Sequence, residues 1–100
     1  MKTTITELDN RLVATLEGEL DTAAAVEVEK ELQPLAANEE KDIVIDCQHL
    51  DYIASSGLRI LLSILKKAKS NGHTVTLRSV NDDIRNVFKM TGFINLFIFE

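Results

Sequence analysis

Tryptophan is absent, and four phenylalanines and one tyrosine are the only aromatic residues among 100. A core built from this chain must therefore be mainly aliphatic. The single cysteine, Cys47, cannot form an intramolecular disulfide, and no two-Cys or Cys/His metal-binding pattern surrounds it. Basic charge is in short supply: 11 Lys and Arg stand against 16 Asp and Glu, for a net charge of −5. That balance argues against nonspecific binding to nucleic acid or to an anionic membrane, both of which reward a basic patch. No run approaches the ~20 apolar residues needed to span a bilayer. Met1 to Asp9 contains no apolar stretch of signal-peptide length. Neither a linker nor an internal repeat nor a low-complexity segment divides the chain. The expectation is one cytoplasmic domain over residues 1–100, with no direct nucleic-acid contact and no membrane insertion.

What is present reads as alternating strands and helices. Residues 3–8 and 11–17 flank Asp9-Asn10, a pair that tolerates left-handed backbone angles, and predict a β-hairpin. Asp21 or Thr22 can cap a helix that begins in the alanines, with Val26, Leu32 and Leu35 on its inner face. Pro34 costs a helical hydrogen bond and predicts a kink or break near Gln33. Ile43-Val44-Ile45 suits a central strand buried on both faces and ended by Asp46. From Gly57 to Ser70, Leu58, Leu61, Leu62, Leu65 and Ala68 follow the 3.6-residue period, while Arg59, Ser63, Lys66 and Lys67 gather opposite. Ile64 lies at the edge of that stripe and Ile60 further off it. His73 to Arg78 alternates as a strand. Asn81 caps a last helix with Asp82 and Asp83 in its first turn, and Gly92 suits its left-handed end. Leu96 to Phe99 forms a short strand or an extended tail. The fold class is α/β: a small mixed sheet opened by a hairpin, followed by βαβ units whose helices pack on it.

The chemistry-bearing residues are few. Ala54-Ser55-Ser56-Gly57-Leu58 lacks the flanking glycines of a Gly-x-Ser-x-Gly elbow, and neither His49 nor His73 is fixed on a serine by its position. The four glycines, at 18, 57, 72 and 92, are scattered, so no phosphate-binding loop is present. Asp42, Asp46 and Asp51 are spaced too irregularly for a metal cage. No catalytic residue, cofactor or metal ligand is therefore assigned. Ser55 reads as the N-cap of the 57–70 helix. Ser56 would then occupy the first helical position with its hydroxyl free, at the positive end of a helix. Gly57 beside it would leave room for another molecule to approach. A phosphoryl group there would add about −1.5 to −2 charge and change what can dock.

Four stretches carry a resemblance: Gly18-Glu19-Leu20-Asp21, Ile43-Val44-Ile45-Asp46, Asp51-Tyr52-Ile53-Ala54-Ser55-Ser56-Gly57-Leu58, and Phe88-Lys89-Met90-Thr91-Gly92-Phe93. In this order and spacing the chain resembles bacterial anti-sigma factor antagonists of the STAS family. The resemblance implies partner switching. The antagonist would bind an anti-sigma factor that is also a serine kinase and so release the sigma factor. It would be switched off by phosphorylation and reset by a serine phosphatase. Carried over, the resemblance implies Ser56 as the acceptor, Asp21 on the kinase-facing surface and Ser55 shaping the acceptor loop. Thr22, Gly57, Arg59 and Ile60 complete the expected docking face. Many antagonists have aspartate before the paired serines where this chain has Ala54, which implies altered kinase recognition or altered repulsion of a phosphate. Two other readings stand beside it: a STAS scaffold subunit of a transporter or other assembly that is never phosphorylated, and a free-standing hydrolase.

Overall fold

The computed structural model describes all 100 residues. The hairpin pairs β1 (Lys2–Leu8) antiparallel to β2 (Arg11–Leu20), from Leu8 opposite Arg11 to Lys2 opposite Glu17. Its two-residue turn has Asp9 at φ 50° and Asn10 at φ 62°. Both angles are left-handed, as a twist-matched turn of this length requires. Strands β3 (Asp42–Ile53), β4 (Val75–Arg78) and β5 (Ile98–Phe99) then add in parallel, giving the sheet order β1-β2-β3-β4-β5.

Helices make the connections. Between β2 and β3 lie α1 (Thr22–Glu31) and the short α2 (Gln33–Ala37). Pro34 sits in the first turn of α2, where no backbone N–H is needed, so the break falls where proline chemistry places it. Helix α3 (Ser55–Ser70) joins β3 to β4, and α4 (Asp82–Thr91) joins β4 to β5. Asn81 accepts a 2.9 Å bond from the Ile84 N–H at the start of α4, and Gly92 closes that helix at φ 80°.

Parallel strands in sequence order, joined by right-handed crossovers, put every helix on one face of the sheet. Ala14, Leu16, Ile43, Ile45, Val75 and Leu77 join the core under those helices. Val13, Val44 and Thr76 align across the opposite face, where the Arg78–Asp46 ion pair at 3.0 Å spans β4 and β3. At the far end Phe88 of α4 meets Phe97 and Phe99 edge-on, with ring centroids 5.5 and 5.7 Å apart. No helix is long and apolar enough to cross a membrane.

Three expectations need correction. Strand β3 does not stop at Asp46 but runs on to Ile53 along β2. Register shifts between Thr15 and Glu17, and between Gly18 and Glu19, rotate this part of the ladder, with Gly18 at φ 109°. Every third residue of β3 (Cys47, Leu50, Ile53) is consequently buried, and the period-two signature is lost. Val26 points outward, 61% exposed, because α1 buries Ala25 and Val28 instead. Those two and Leu32 are spaced i, i+3, i+7, a stripe that excludes position 26. The fourth strand begins at Val75 and not at His73, whose N–H still bonds Ala68 O at the end of α3.

The α2–β3 and α3–β4 loops are tied by Asp42. Its Oδ1 accepts from the Thr74 N–H at 3.0 Å and lies 3.1 Å from His73 Nδ1. The Thr74 bond, then the His73 contact, hold the Asp42 carboxyl below its ordinary value of 3.8, against the opposing pull of burial. A depressed native value means that this stabilisation is present above about pH 4 and disappears as pH falls through the native pKa. The carboxylate is half-exposed, so the effect is modest. Urea midpoints measured from about pH 6 to about pH 2 are expected to fall less steeply below pH ~4 for Asp42→Asn than for the unmodified protein.

Candidate functional site

The ends of β2 and β3 meet the starts of α1 and α3 at one corner of the sheet. Leu20 is the last residue of β2 and Ile53 the last of β3, paired in register. Asp21 turns the chain into α1, its Oδ1 accepting the Ala24 N–H at 2.8 Å. Of the two capping candidates, Asp21 is the one used. Ala54 turns the chain into α3 from an extended conformation (φ −87°, ψ 169°), and its N–H bonds Leu20 O at 2.8 Å. That bond ties the start of α3 directly to the end of β2.

Helix α3 starts two residues earlier than its apolar period suggests. Ser55 is its first residue, the cap position is Ala54, and no side chain caps the helix. The expectation that Ser55 is an N-cap is therefore wrong: the chain already has helical geometry at that point, and Ala54, whose carbonyl accepts the Leu58 N–H, has no side-chain oxygen to offer. The N–H groups of the first turn are left open, as at any uncapped helix start.

The paired serines face different surroundings. Ser55 is exposed. Ser56 is only partly exposed, and its Oγ is buried without a hydrogen-bond partner. Ser56 is thus the second helical residue, half-buried at the edge of the groove between α1 and α3, with its hydroxyl covered but unbonded. The cause lies one residue on. Gly57 is buried, and a Cβ there would come within 2.7 Å of Leu20 Cγ and 2.9 Å of Ile53 Cγ1. The glycine is needed so that α3 can lie against the strand ends, and it offers no opening to another molecule. Pressing α3 down at position 57 draws the neighbouring Ser56 hydroxyl under cover. Ser55, about 100° away from Ser56 around the helix, stays outside.

The other expected docking residues divide in the same way. Thr22 and Arg59 are exposed and Asp21 is half-buried. Ile60 is 7% exposed and belongs to the core between α1, α2 and α3; only its edge reaches the surface. Thr22, Ser56, Arg59 and Ile60 nevertheless line one groove between α1 and α3, together with Val26, Glu29 and Lys30. Ser55 and Arg59 line a second groove, between α3 and the end of α4, with Leu58, Leu62, Thr91 and Phe93. Arg59 therefore stands on the ridge that separates the two. Val26 and the α4 residues were not expected at the site. Their helices reach it only through the packing of the crossovers, which local sequence does not reveal.

Other reactive groups lie apart. Cys47 is buried in β3, and burial, with a smaller contribution from Asp46, pushes its thiol up to about 12. It stays protonated and is a poor nucleophile. Both ring nitrogens of His73 are occupied, by Asp42 Oδ1 and by Glu39 O at 3.0 Å. His49 is exposed on β3.

The fold is shared with known proteins. The model of the STAS domain matches residues 2–100. BtrV of Bordetella bronchiseptica, described as a candidate anti-sigma factor antagonist, is 34% identical over 97% of this chain and 84% of its own length. An anti-sigma-B factor antagonist of Staphylococcus aureus is 30% identical over 79% of this chain and 73% of its own. Among solved structures, an anti-sigma factor antagonist from Mycobacterium paratuberculosis superposes with a TM-score of 0.83 at 26% identity, covering 98% of this chain and 83% of that one. The unphosphorylated antagonist SpoIIAA shares the fold at a TM-score of 0.82 and 18% identity, over 99% of this chain and 88% of its own.

Two substitutions test the packing at the corner. Gly57→Ala is expected to destabilise the protein by about 1–2 kcal/mol, because overpacking against Leu20 and Ile53 outweighs the better helix propensity of alanine. Ser56→Ala removes a buried hydroxyl that has no partner, and is expected to be neutral or to stabilise by up to about 1 kcal/mol. Urea unfolding midpoints measure both, and a clear loss in Ser56→Ala would show that the hydroxyl is hydrogen-bonded after all.

Proposed function

The chain belongs to the STAS-domain family, and we propose that it acts as an anti-sigma factor antagonist controlled by phosphorylation of Ser56. Residues 1–100 act as one domain. In its unmodified state the corner of α1 and α3 docks on an anti-sigma factor and so releases the sigma factor. The anti-sigma factor carries serine kinase activity and supplies the chemistry. Ser56 Oγ attacks the terminal phosphorus of a nucleoside triphosphate, the bond from that phosphorus to the bridging oxygen breaks, and the nucleoside diphosphate leaves. The hydroxyl proton passes to a base of the kinase. A serine phosphatase reverses the modification by hydrolysis. The antagonist itself is a substrate and a ligand in this cycle, not an enzyme, and its place of action is the cytoplasm.

The observation that carries this reading is the uncapped start of α3, where Ser56 lines the groove between α1 and α3 with Thr22 and Arg59. The Ser56 hydroxyl has no hydrogen-bond partner, so it gives up no bond when it turns toward a kinase. A phosphate on Ser56 would lie at the positive end of α3, which favours an anion, so modification leaves the fold intact and acts on docking. The docking face comprises Asp21, Thr22, Ser55, Ser56 and Arg59, with Gly57 and Ile60 supporting it from beneath.

Incubation with the cognate kinase and ATP is expected to add one phosphate, mapped to Ser56 by mass spectrometry. Ser56→Ala is expected to abolish the addition and Ser55→Ala to permit it. Ser56→Asp is expected to bind the anti-sigma factor about 30- to 150-fold more weakly, corresponding to a loss of about 2–3 kcal/mol, while retaining a cooperative melt. Phosphate found on Ser55 alone would move the acceptor to that residue. Unmodified protein in every case, with binding intact, would favour the scaffold reading.

A further inference from the structure

We propose that Arg59 and the Thr22 hydroxyl receive the phosphate of a modified Ser56 inside the groove between α1 and α3, so that modification fastens the two helices to each other and takes Arg59 out of the docking face. This rests on the reading of Ser56 as the acceptor and says how the modified state is held.

The strand ends set the positions. Leu20 and Ile53 pair in register, and α1 and α3 each begin two residues later, at Thr22 and Ser55. The first turns of the two helices therefore start level, and Thr22, Ser56 and Arg59 line the groove of about 380 Å³ between them. Ser56 and Arg59 are three apart on one helix, which places their Cβ atoms about 5–6 Å from each other. Helical side chains lean toward the N-terminus, so the Arg59 side chain reaches back over the turn that holds Ser56. The Ser56 hydroxyl is bonded to nothing in the unmodified protein, so its oxygen can carry a phosphoryl group into the groove without giving up a hydrogen bond.

Arg59 is uncommitted. The four ion pairs of the protein engage Arg11, Lys41, His73 and Arg78 with acidic partners, and no carboxylate lies within 4.0 Å of the Arg59 guanidinium. The second groove that Arg59 lines, between α3 and α4, holds no acidic residue. Glu29 and Lys30 are the other charged residues of the α1–α3 groove. They lie two turns beyond Thr22, about 10–12 Å further along α1, so neither stands beside Ser56. Asp21 already accepts the Ala24 N–H at the start of α1. Ala54, just before the serines, presents no acid to compete for the arginine or to repel a phosphate. The forked donors of arginine match phosphate oxygens in pairs, which an ammonium group does not do. Thr22 can donate its hydroxyl to a third oxygen from the opposite wall.

In the unmodified protein the guanidinium is free to meet an acidic group of the partner. Once Ser56 carries phosphate, the nearest strong anion is one turn away on the same helix, and the partner loses that contact.

The test installs phosphoserine at position 56 by genetic encoding, with no kinase involved, and follows the second ionisation of the phosphate by ³¹P NMR. With Arg59 present, the midpoint is expected about half a unit or more below the ordinary value near 6, because a neighbouring cation favours the dianion. Arg59→Gln is expected to bring it back up by most of that shift, Thr22→Val by a smaller part, and Lys30→Gln to leave it nearly unchanged. Equal midpoints with and without Arg59→Gln would overturn the proposal, whether low, with the helix start alone holding the phosphate, or ordinary. A rise in Lys30→Gln as large as that in Arg59→Gln would overturn it too, since the phosphate would then be sensing general charge. So would loss of a cooperative melt in the phosphoprotein, since the groove would not accommodate the group. The phosphate is installed during synthesis, so a kinase that failed to modify Ser56 would overturn the functional reading without altering this result.

Discussion

The seat of α3 on the strand ends is the constraint on which the site depends. Gly57 lies so close to Leu20 and Ile53 that a methyl group has no space, and the Ala54 N–H is bonded to Leu20 O at 2.8 Å. Together these contacts set where α3 begins and how it is rotated. Leu58, Leu61, Ile64, Leu65 and Ala68 then fall into the core, and Ser55 and Arg59 fall outside it. A helix turns about 100° per residue, so a rotation by one position would exchange the two serines. The burial of Gly57 forbids that rotation.

Electrostatics at the corner follow from what the seat leaves uncovered. The start of α3 has no capping side chain and no acidic residue in its first turn. The start of α4, by contrast, has both an asparagine cap and Asp82 and Asp83. The start of α4 is thus neutralised and that of α1 is capped by Asp21, while α3 leaves its positive end open beside an arginine without an acidic partner. A surface of net charge −5 thus retains a local preference for an anion at one point. The STAS family match and the antagonists that share this fold give that point a functional context.

Much of the architecture was legible because local rules and tertiary packing agree. Asp9-Asn10 specifies a two-residue turn by the backbone angles it tolerates, and Pro34 marks the α1–α2 break by the hydrogen bond it cannot make. Asn81 and Gly92 delimit α4 through a cap and a left-handed residue. Where these agreements fail, so did the reading. The second half of β3 alternates with a period of three because its ladder slips against β2. Ile60 lies off the main stripe of α3 yet is buried, because that helix packs against α1 and α2 as well as the sheet. Val26 looked like core until Ala25 and Val28 took the inner face of α1.

The sequence by itself determined the order of elements, the mixed sheet, and the existence of a serine pair at the start of the third helix. Those follow from periodicity, turn chemistry and spacing, all of which act over a few residues. How deeply each serine is covered, and why the glycine beside them is there, was decided only in the assembled fold. Adjacent hydroxyls are chemically identical in a linear chain. They become different when one helix turn is pressed against two strand ends brought together from distant parts of the chain, Leu20 and Ile53.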